Sequence, residues 1–384
     1  MHEETISVKT IPFVDLHSEY REIQPEISLG INRVLEQSAF IMGEDVPLFE
    51  RAFANYCQAK YAIGVANGTD ALMLALKAVG AQPGDEVLLP VNTFIATAEA
   101  VVHSGCRPVF VDVDPGTYHL DAEQLAHKIT SRTKVLIPVH LYGQPVHIEP
   151  IMEIARTHGL IVIEDAAQAH GATYKNRKAG SFGQAGCFSF YPSKNLGCYG
   201  DGGAVVTADE KIAETLRKLR EHGGTQKYRH DLVGYNSRLD TLQAAVLSVK
   251  LQHLEEWNRR RRASAKLYDQ LLAGVSGVCL PRVSGPESLV SHVYHLYVIQ
   301  VEGGLRADLQ SHLRERGVQT GIHYPTPLHL TGAFSFLGHR KGDFPRAETI
   351  ADQLLSLPMH PYLQPSQIEH TATQIADFMR ARLR

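Results

Sequence analysis

Between about Tyr61 and Arg220 the chain alternates short apolar, β-branched runs with segments of helical period, and few folds accommodate that alternation. Strands are expected at Tyr61–Val65, Val87–Leu89, Pro108–Val113, Val135–Val139, Leu160–Ile163, Cys187–Phe190 and Ala204–Thr207. Helices are expected at Thr69–Val79, at about Thr93–His103, at Ile148–His158 and at Glu210–Arg220. Thr69 reads as a cap of the first, while Gly80 and Gly159 read as stops. Strands that are apolar throughout must be covered on both faces, and the intervening helices supply that cover. The expected class is α/β, with a mainly parallel sheet flanked by helices.

Around Tyr235–Arg262 the pattern changes to one long helical stretch that holds the single tryptophan, Trp257. Its basic run Arg259-Arg260-Arg261-Arg262 reads as a solvated helix face. After Gly277 the pattern becomes α+β: a strand-like His292–Val301, a helix at about Arg306–Arg316 ended by Gly317, and an extended Val318–Tyr324. A chain of 384 residues exceeds one typical core, so two units are expected. We place a large α/β domain at 1–250 and a smaller α+β domain at 251–384.

Net charge is −3, so no global field favours nucleic acid or an anionic membrane. The polar start MHEETISVKT lacks a signal-peptide core, and no segment approaches the roughly 20 apolar residues that span a bilayer. The five cysteines (Cys57, Cys106, Cys187, Cys198, Cys279) form no C-x-x-C pair, which fits a reducing, cytoplasmic setting. Despite 20 histidines, no metal-ligand spacing occurs, and His292 and His295 would sit on opposite faces of a strand. Neither a dinucleotide fingerprint nor a P-loop is present.

Four segments carry chemistry together. Asn67-Gly68-Thr69-Asp70 lies between a strand and a helix, where Gly68 allows close backbone approach and free N–H groups favour a phosphate. Glu164-Asp165-Ala166-Ala167-Gln168 follows an apolar strand, so Asp165 can face the crevice where such sheets bind ligands. There Asp165 could hold a protonated pyridine nitrogen and Gln168 a ring hydroxyl, although a simple helix cap is the plain alternative. Ser189 precedes Lys194 in Phe188-Ser189-Phe190-Tyr191-Pro192-Ser193-Lys194-Asn195. A lysine between a strand and a Gly-rich loop can form a Schiff base once its pKa is lowered, and Ser189 could donate to a phosphate. In Thr93-Phe94-Ile95-Ala96-Thr97, Phe94 could stack on a flat ring.

The succession GTDAL, TFIAT, EDAAQAHG, FSFYPSKNLG and GYNSRLDTLQAA resembles the DegT/DnrJ/EryC1/StrS sugar aminotransferases, of pyridoxal-phosphate (PLP) fold type I. The resemblance runs from about Phe13 to Tyr362. It implies PLP as cofactor, Lys194 as the Schiff-base lysine and Asp165 as the partner of the pyridine nitrogen. It further implies Gln168 against the ring 3′-oxygen, Phe94 over the ring face, and Gly68, Thr69 and Ser189 on the phosphate. Asn236, in Gly234-Tyr235-Asn236-Ser237-Arg238, would reach the phosphate of a neighbouring subunit, making a homodimer with shared active sites the active unit.

The segment Gly321-Ile322-His323-Tyr324-Pro325-Thr326-Pro327-Leu328-His329 resembles the part that faces the sugar in this family, most like members aminating C3 of a dTDP-linked 3-keto-6-deoxyhexose. His323 and Tyr324 are therefore candidate substrate contacts. The implied reaction moves an amino group from L-glutamate to a nucleotide-linked ketosugar, with Lys194 as the base for the proton shift. Amination at C4, or of a UDP or GDP sugar, is an alternative. Relatives that dehydrate sugars lack the lysine, whereas Lys194 is present here; a non-catalytic, PLP-binding regulatory protein is the alternative of another class.

Overall fold

The computed structural model describes residues 10–383, so all but Thr10 of the polar N-terminal stretch lies outside the described residues. Its largest sheet has seven strands in the order Tyr61–Val65, Gly203–Thr207, Ala185–Ser189, Ile161–Asp165, Thr133–Leu136, Glu86–Pro90, Arg107–Val111. Gly203–Thr207 is antiparallel to both neighbours, and every other pairing is parallel. The six other strands therefore run one way and present their carboxyl ends along one edge.

Both faces of the sheet are buried, as the continuous apolar runs require. Val87, Leu89 and Ile163 enter a core with Leu72, Leu76 and Val101. The alternate residues Leu88 and Val162 enter another with Ile148, Ile151 and Ala155. Helix Ile148–His158 buries those last three at the helical period and ends at Gly159, whose φ of 65° is the left-handed stop that glycine adopts without strain. The helix Gly68–Ala78 is capped by Asn67, not Thr69, because the Asn67 side chain accepts from the Asp70 N–H at 2.8 Å.

The long helix is Thr241–Leu272, 32 residues that join two cores. Ala244, Leu247 and Leu254 pack into the large unit. Ala265, Tyr268 and Leu272 pack into a second core with Tyr297, Ile299, Leu309 and Ile375. The 250/251 division thus falls inside one continuous helix. Ile11 also belongs to the second core, and its N–H bonds the Gly317 carbonyl at 2.8 Å. That smaller unit carries an antiparallel sheet in the order Val278–Cys279, Tyr297–Val301, Leu354–Leu357.

Three readings of this region change. Arg259 and Arg260 pair with Glu256, and Arg262 with Glu255, but Arg261 is buried and donates to the carbonyls of Tyr294 and Met359. Consecutive helical residues step about 100° round the axis, so four arginines in a row cannot share one solvated face. His292–Val301 is no single strand: Val290–Ser291 pairs with Thr173–Tyr174, while Tyr297–Val301 joins the small sheet. Val318–Tyr324 makes only isolated bridges, Val318 to Ile11 and Gly321 to Ser356. Among the described residues no helix is long and apolar enough to cross a membrane, and no group of three or more His, Cys, Asp or Glu could hold a metal ion.

Candidate active site

Because six strands run one way, the segments that follow them converge on a cavity of about 500 Å³ at their carboxyl edge. Nine of the sequence-predicted residues line it: Gly68, Thr69, Phe94, Asp165, Gln168, Ser189, Lys194, His323 and Tyr324. Asn236 does not. It is exposed and lines a neighbouring depression with Ile41, Arg238 and Asp240, and Asp201 borders both spaces.

At one end the helix Gly68–Ala78 begins, where the first N–H groups have no intrahelical acceptor. A Cβ on Gly68 would lie 2.6 Å from Ser189 Cβ, and one on Gly203 would lie 2.3 Å from the Asn67 carbonyl oxygen. Three backbone segments therefore meet more closely than any side chain permits. This end offers free N–H groups, two hydroxyls and a helix dipole to an anion.

Glu164 and Asp165 are adjacent on one strand, so they face opposite sides. Glu164 turns into the fold, where it accepts from the N–H groups of Gly180, Phe182 and Gly183 and pairs with His140 Nε2 at 2.8 Å. Asp165 turns to the cavity, 6% exposed. Burial raises its pKa, against the Thr97 hydroxyl donating at 2.7 Å, the Ala167 N–H at 3.1 Å and the nearby Lys194. Burial pushes the Lys194 amine down to about 8, with Asp165 opposing, so about a tenth of it is neutral at pH 7 against a negligible fraction for an ordinary lysine.

The remaining wall is aromatic and amide. Gln168 accepts from the Tyr142 N–H at 2.6 Å and donates to the Tyr324 hydroxyl at 3.2 Å, which fixes its amide. Phe94 is 53% exposed, so it is no core residue; its ring lies 5.8 Å from that of Tyr324. His323 bonds Ser356 Oγ through Nδ1 at 2.8 Å and stacks on Phe13 at 5.8 Å, and its carbonyl accepts from the Tyr142 hydroxyl. Burial holds the His323 imidazole down to about 4, hence neutral at physiological pH.

Sequence reasoning missed Thr97, Tyr142 and His295, all joined to this site. For Thr97 a signal existed. Thr93 and Thr97 are one helical turn apart, and their hydroxyls lie 3.0 Å from each other behind Asp165. In sequence His295 stands out only as a potential metal ligand, and Tyr142 belongs to no motif.

A flat, anionic, aldehyde-bearing heterocycle fits this donor set. The glycine-lined helix start suits a phosphate, the buried carboxylate suits a protonated ring nitrogen, and the depressed amine suits a carbonyl carbon. With this sheet behind them, such groups define a pyridoxal-phosphate enzyme of fold type I. The chain belongs to the DegT/DnrJ/EryC1/StrS aminotransferase family, whose pattern matches residues 21–376, and solved relatives carry the cofactor in its pyridoxamine phosphate form.

Over 370 residues it is 46% identical to the dTDP-3-amino-3,4,6-trideoxy-alpha-D-glucose transaminase of Streptomyces venezuelae, covering 96% of this chain and 95% of that one. Over 373 residues it is 46% identical to the pleiotropic regulatory protein of Geobacillus stearothermophilus, covering 96% and 99%. Its fold matches the crystal structure of S. venezuelae DesV in complex with a ketimine intermediate, at a TM-score of 0.94 and 45% identity over 97% of this chain and 99% of that one.

Proposed function

We propose that this protein transfers an amino group from L-glutamate to a nucleotide-linked keto-6-deoxy sugar, at C3 of a dTDP-3-keto-6-deoxyhexose. The observation that carries the reading is the convergence of the Lys194 amine, the buried Asp165 carboxylate and the glycine-lined helix start on one cavity. The S. venezuelae transaminase supports the choice of sugar and carbon; a C4 position, or a UDP or GDP carrier, is the nearest alternative.

When bound, pyridoxal phosphate supplies an electron sink for the charge left on a carbon that loses its proton. The N–H groups of Gly68 and Thr69, with the Ser189 hydroxyl, hold the phosphate at the helix start. Asp165 keeps a proton at the ring nitrogen, Gln168 takes the 3′-oxygen, and Phe94 covers one ring face. Lys194 would take a proton from the amino-bearing carbon and return it to the carbon across the intervening nitrogen, two bonds away, as a tethered amine with a depressed pKa can do. His323 and Tyr324, on the same wall as Phe94 and Gln168, contact the sugar. A reducing, cytoplasmic setting belongs to the same reading, in keeping with five free thiols, four of them buried.

Asn236 serves the cofactor phosphate of a second copy of this chain. The support is local: the exposed Phe40, Ile41 and Met42 adjoin the Asn236 depression, which Ile41 itself lines. Lys194→Ala and Asn236→Asp subunits should each be inactive alone, yet regain about a quarter of wild-type activity on random mixing, because half the dimers hold one intact site. No recovery in mixed dimers would place Asn236 in its own subunit's chemistry, and an Asn236→Asp protein active alone would leave it no part in the reaction.

The transfer itself is tested by absorbance. L-Glutamate should convert the visible band of the lysine-bound cofactor to the near-ultraviolet band of its amine form, and a dTDP-3-keto-6-deoxyhexose should reverse the change. The relative named as a regulatory protein motivates one second reading, a PLP-binding protein without turnover. A bound cofactor indifferent to every amino donor would favour that reading over ours.

A further inference from the structure

Asp70 is the one acidic residue in the first turn of the helix Gly68–Ala78. A free carboxylate there would compete with a bound anion for the same N–H groups and the same dipole. Yet Asn67, Gly68 and Thr69 line the cavity, and Asp70 does not. Its carboxylate is held elsewhere: the Ser237 hydroxyl donates to Asp70 Oδ2 at 2.6 Å.

The sense of that bond is fixed by a second one. The Ala66 N–H can only donate, and it does so to Ser237 Oγ at 3.2 Å, which leaves the single hydroxyl proton for Asp70. Ser237 is fully buried, and its own N–H bonds the Arg220 carbonyl at 3.0 Å. Asn67 accepts the Asp70 N–H, so the backbone and the side chain of Asp70 are both tied down. One hydroxyl therefore bonds Ala66 and Asp70, and the turn Asn67-Gly68-Thr69 lies between them.

We propose that Ser237 is a positioning residue for the phosphate site. By holding the Asp70 carboxylate away from the cavity, it leaves the N–H groups of Gly68 and Thr69 to a bound phosphate. This rests on the cofactor phosphate binding at that helix start. It is independent of the role proposed for Asn236, because Ser237 acts within its own chain.

Cofactor affinity decides it, read by titrating apoprotein with PLP and with pyridoxal, which lacks the phosphate. Ser237→Ala frees the carboxylate and should weaken PLP about 10- to 100-fold while leaving pyridoxal within about twofold of wild type. Asp70→Asn removes the charge and should bind PLP at least as tightly as wild type. The double variant should return to near wild type, since no charge is left to release. Undiminished PLP affinity in Ser237→Ala overturns the proposal. So does an equal loss for both ligands, or a double variant as weak as Ser237→Ala, because either would reduce Ser237 to packing.

In each of those outcomes wild type still binds PLP, and the proposed function stands. Wild type that binds neither PLP nor pyridoxal would sink the proposed function instead. Calorimetry with inorganic phosphate on the same four proteins then decides the role of Ser237. Weaker binding in Ser237→Ala alone supports it, and no phosphate binding, or no difference among the four, overturns it.

Discussion

Lys194→Ala is expected to abolish the visible cofactor band and to lower turnover by about 10⁴-fold or more. In the proposed mechanism the side chain serves twice, as the group that holds the cofactor and as the base that moves a proton. No other amine lines the cavity among the described residues, so nothing there can substitute. Absorbance and single-turnover kinetics with L-glutamate check the loss; a variant within tenfold of wild type would refute both roles.

The same substitution has a stability signature. The folded pKa of Lys194, about 8, lies below the ordinary 10.5, so between those values the unfolded chain binds more protons. Wild-type apoprotein should therefore gain stability as pH rises from about 8 toward 10.5, and the alanine variant should lack that gain. Thermal unfolding across this window separates a lost base from a damaged fold.

Asp165→Asn should retain the cofactor on Lys194 yet slow the glutamate half-reaction by about 10²- to 10⁴-fold. The amide has the carboxylate's shape and can still meet Thr97 or the Ala167 N–H. It lacks the charge that, in the proposed mechanism, holds a proton on the ring nitrogen, so the loss should appear in the proton-transfer rate more than in cofactor content. Rapid-scan absorbance distinguishes the two. A variant that simply loses the cofactor would show Asp165 acting as an anchor alone.

The sheet was legible because its strands are apolar on both faces, and runs such as Val87–Leu89 and Leu160–Ile163 admit few other readings. Stops at Gly80 and Gly159 were legible for the same local reason, since both adopt positive φ. The cap was less so: Asn67 and Thr69 are both good capping residues, and only the backbone path selects the first. The small unit resisted because its pairings are distant and brief. Val318 meets Ile11 through a single bridge, which leaves no periodic trace in sequence.

In the site, residues within motifs were found and their supports were not. Phe94, Asp165 and Lys194 belong to contiguous motifs, whereas Tyr142 backs Gln168 from a segment with no motif and His295 lines the cavity from a run read only as strand-like. Arg261 shows the same limit, since its inward turn depends on which helix face meets the second core. Asn236 is the converse, a motif residue that lies outside the cavity of its own chain and that we propose serves a second copy.

The seam between the chain's two ends bears on how the protein is made. Phe13 N–H bonds Gln319 Oε1 across 306 positions of sequence, and the Phe13 ring lies against His323. During synthesis Phe13 must wait, unpaired, until Gln319 and His323 have left the ribosome. The cavity wall carrying His323 is therefore among the last parts to settle, and such late, non-local closure is slow. Chains truncated near the carboxyl end would leave Ile11 and Phe13 with an apolar surface and nothing to cover it, a state prone to aggregate.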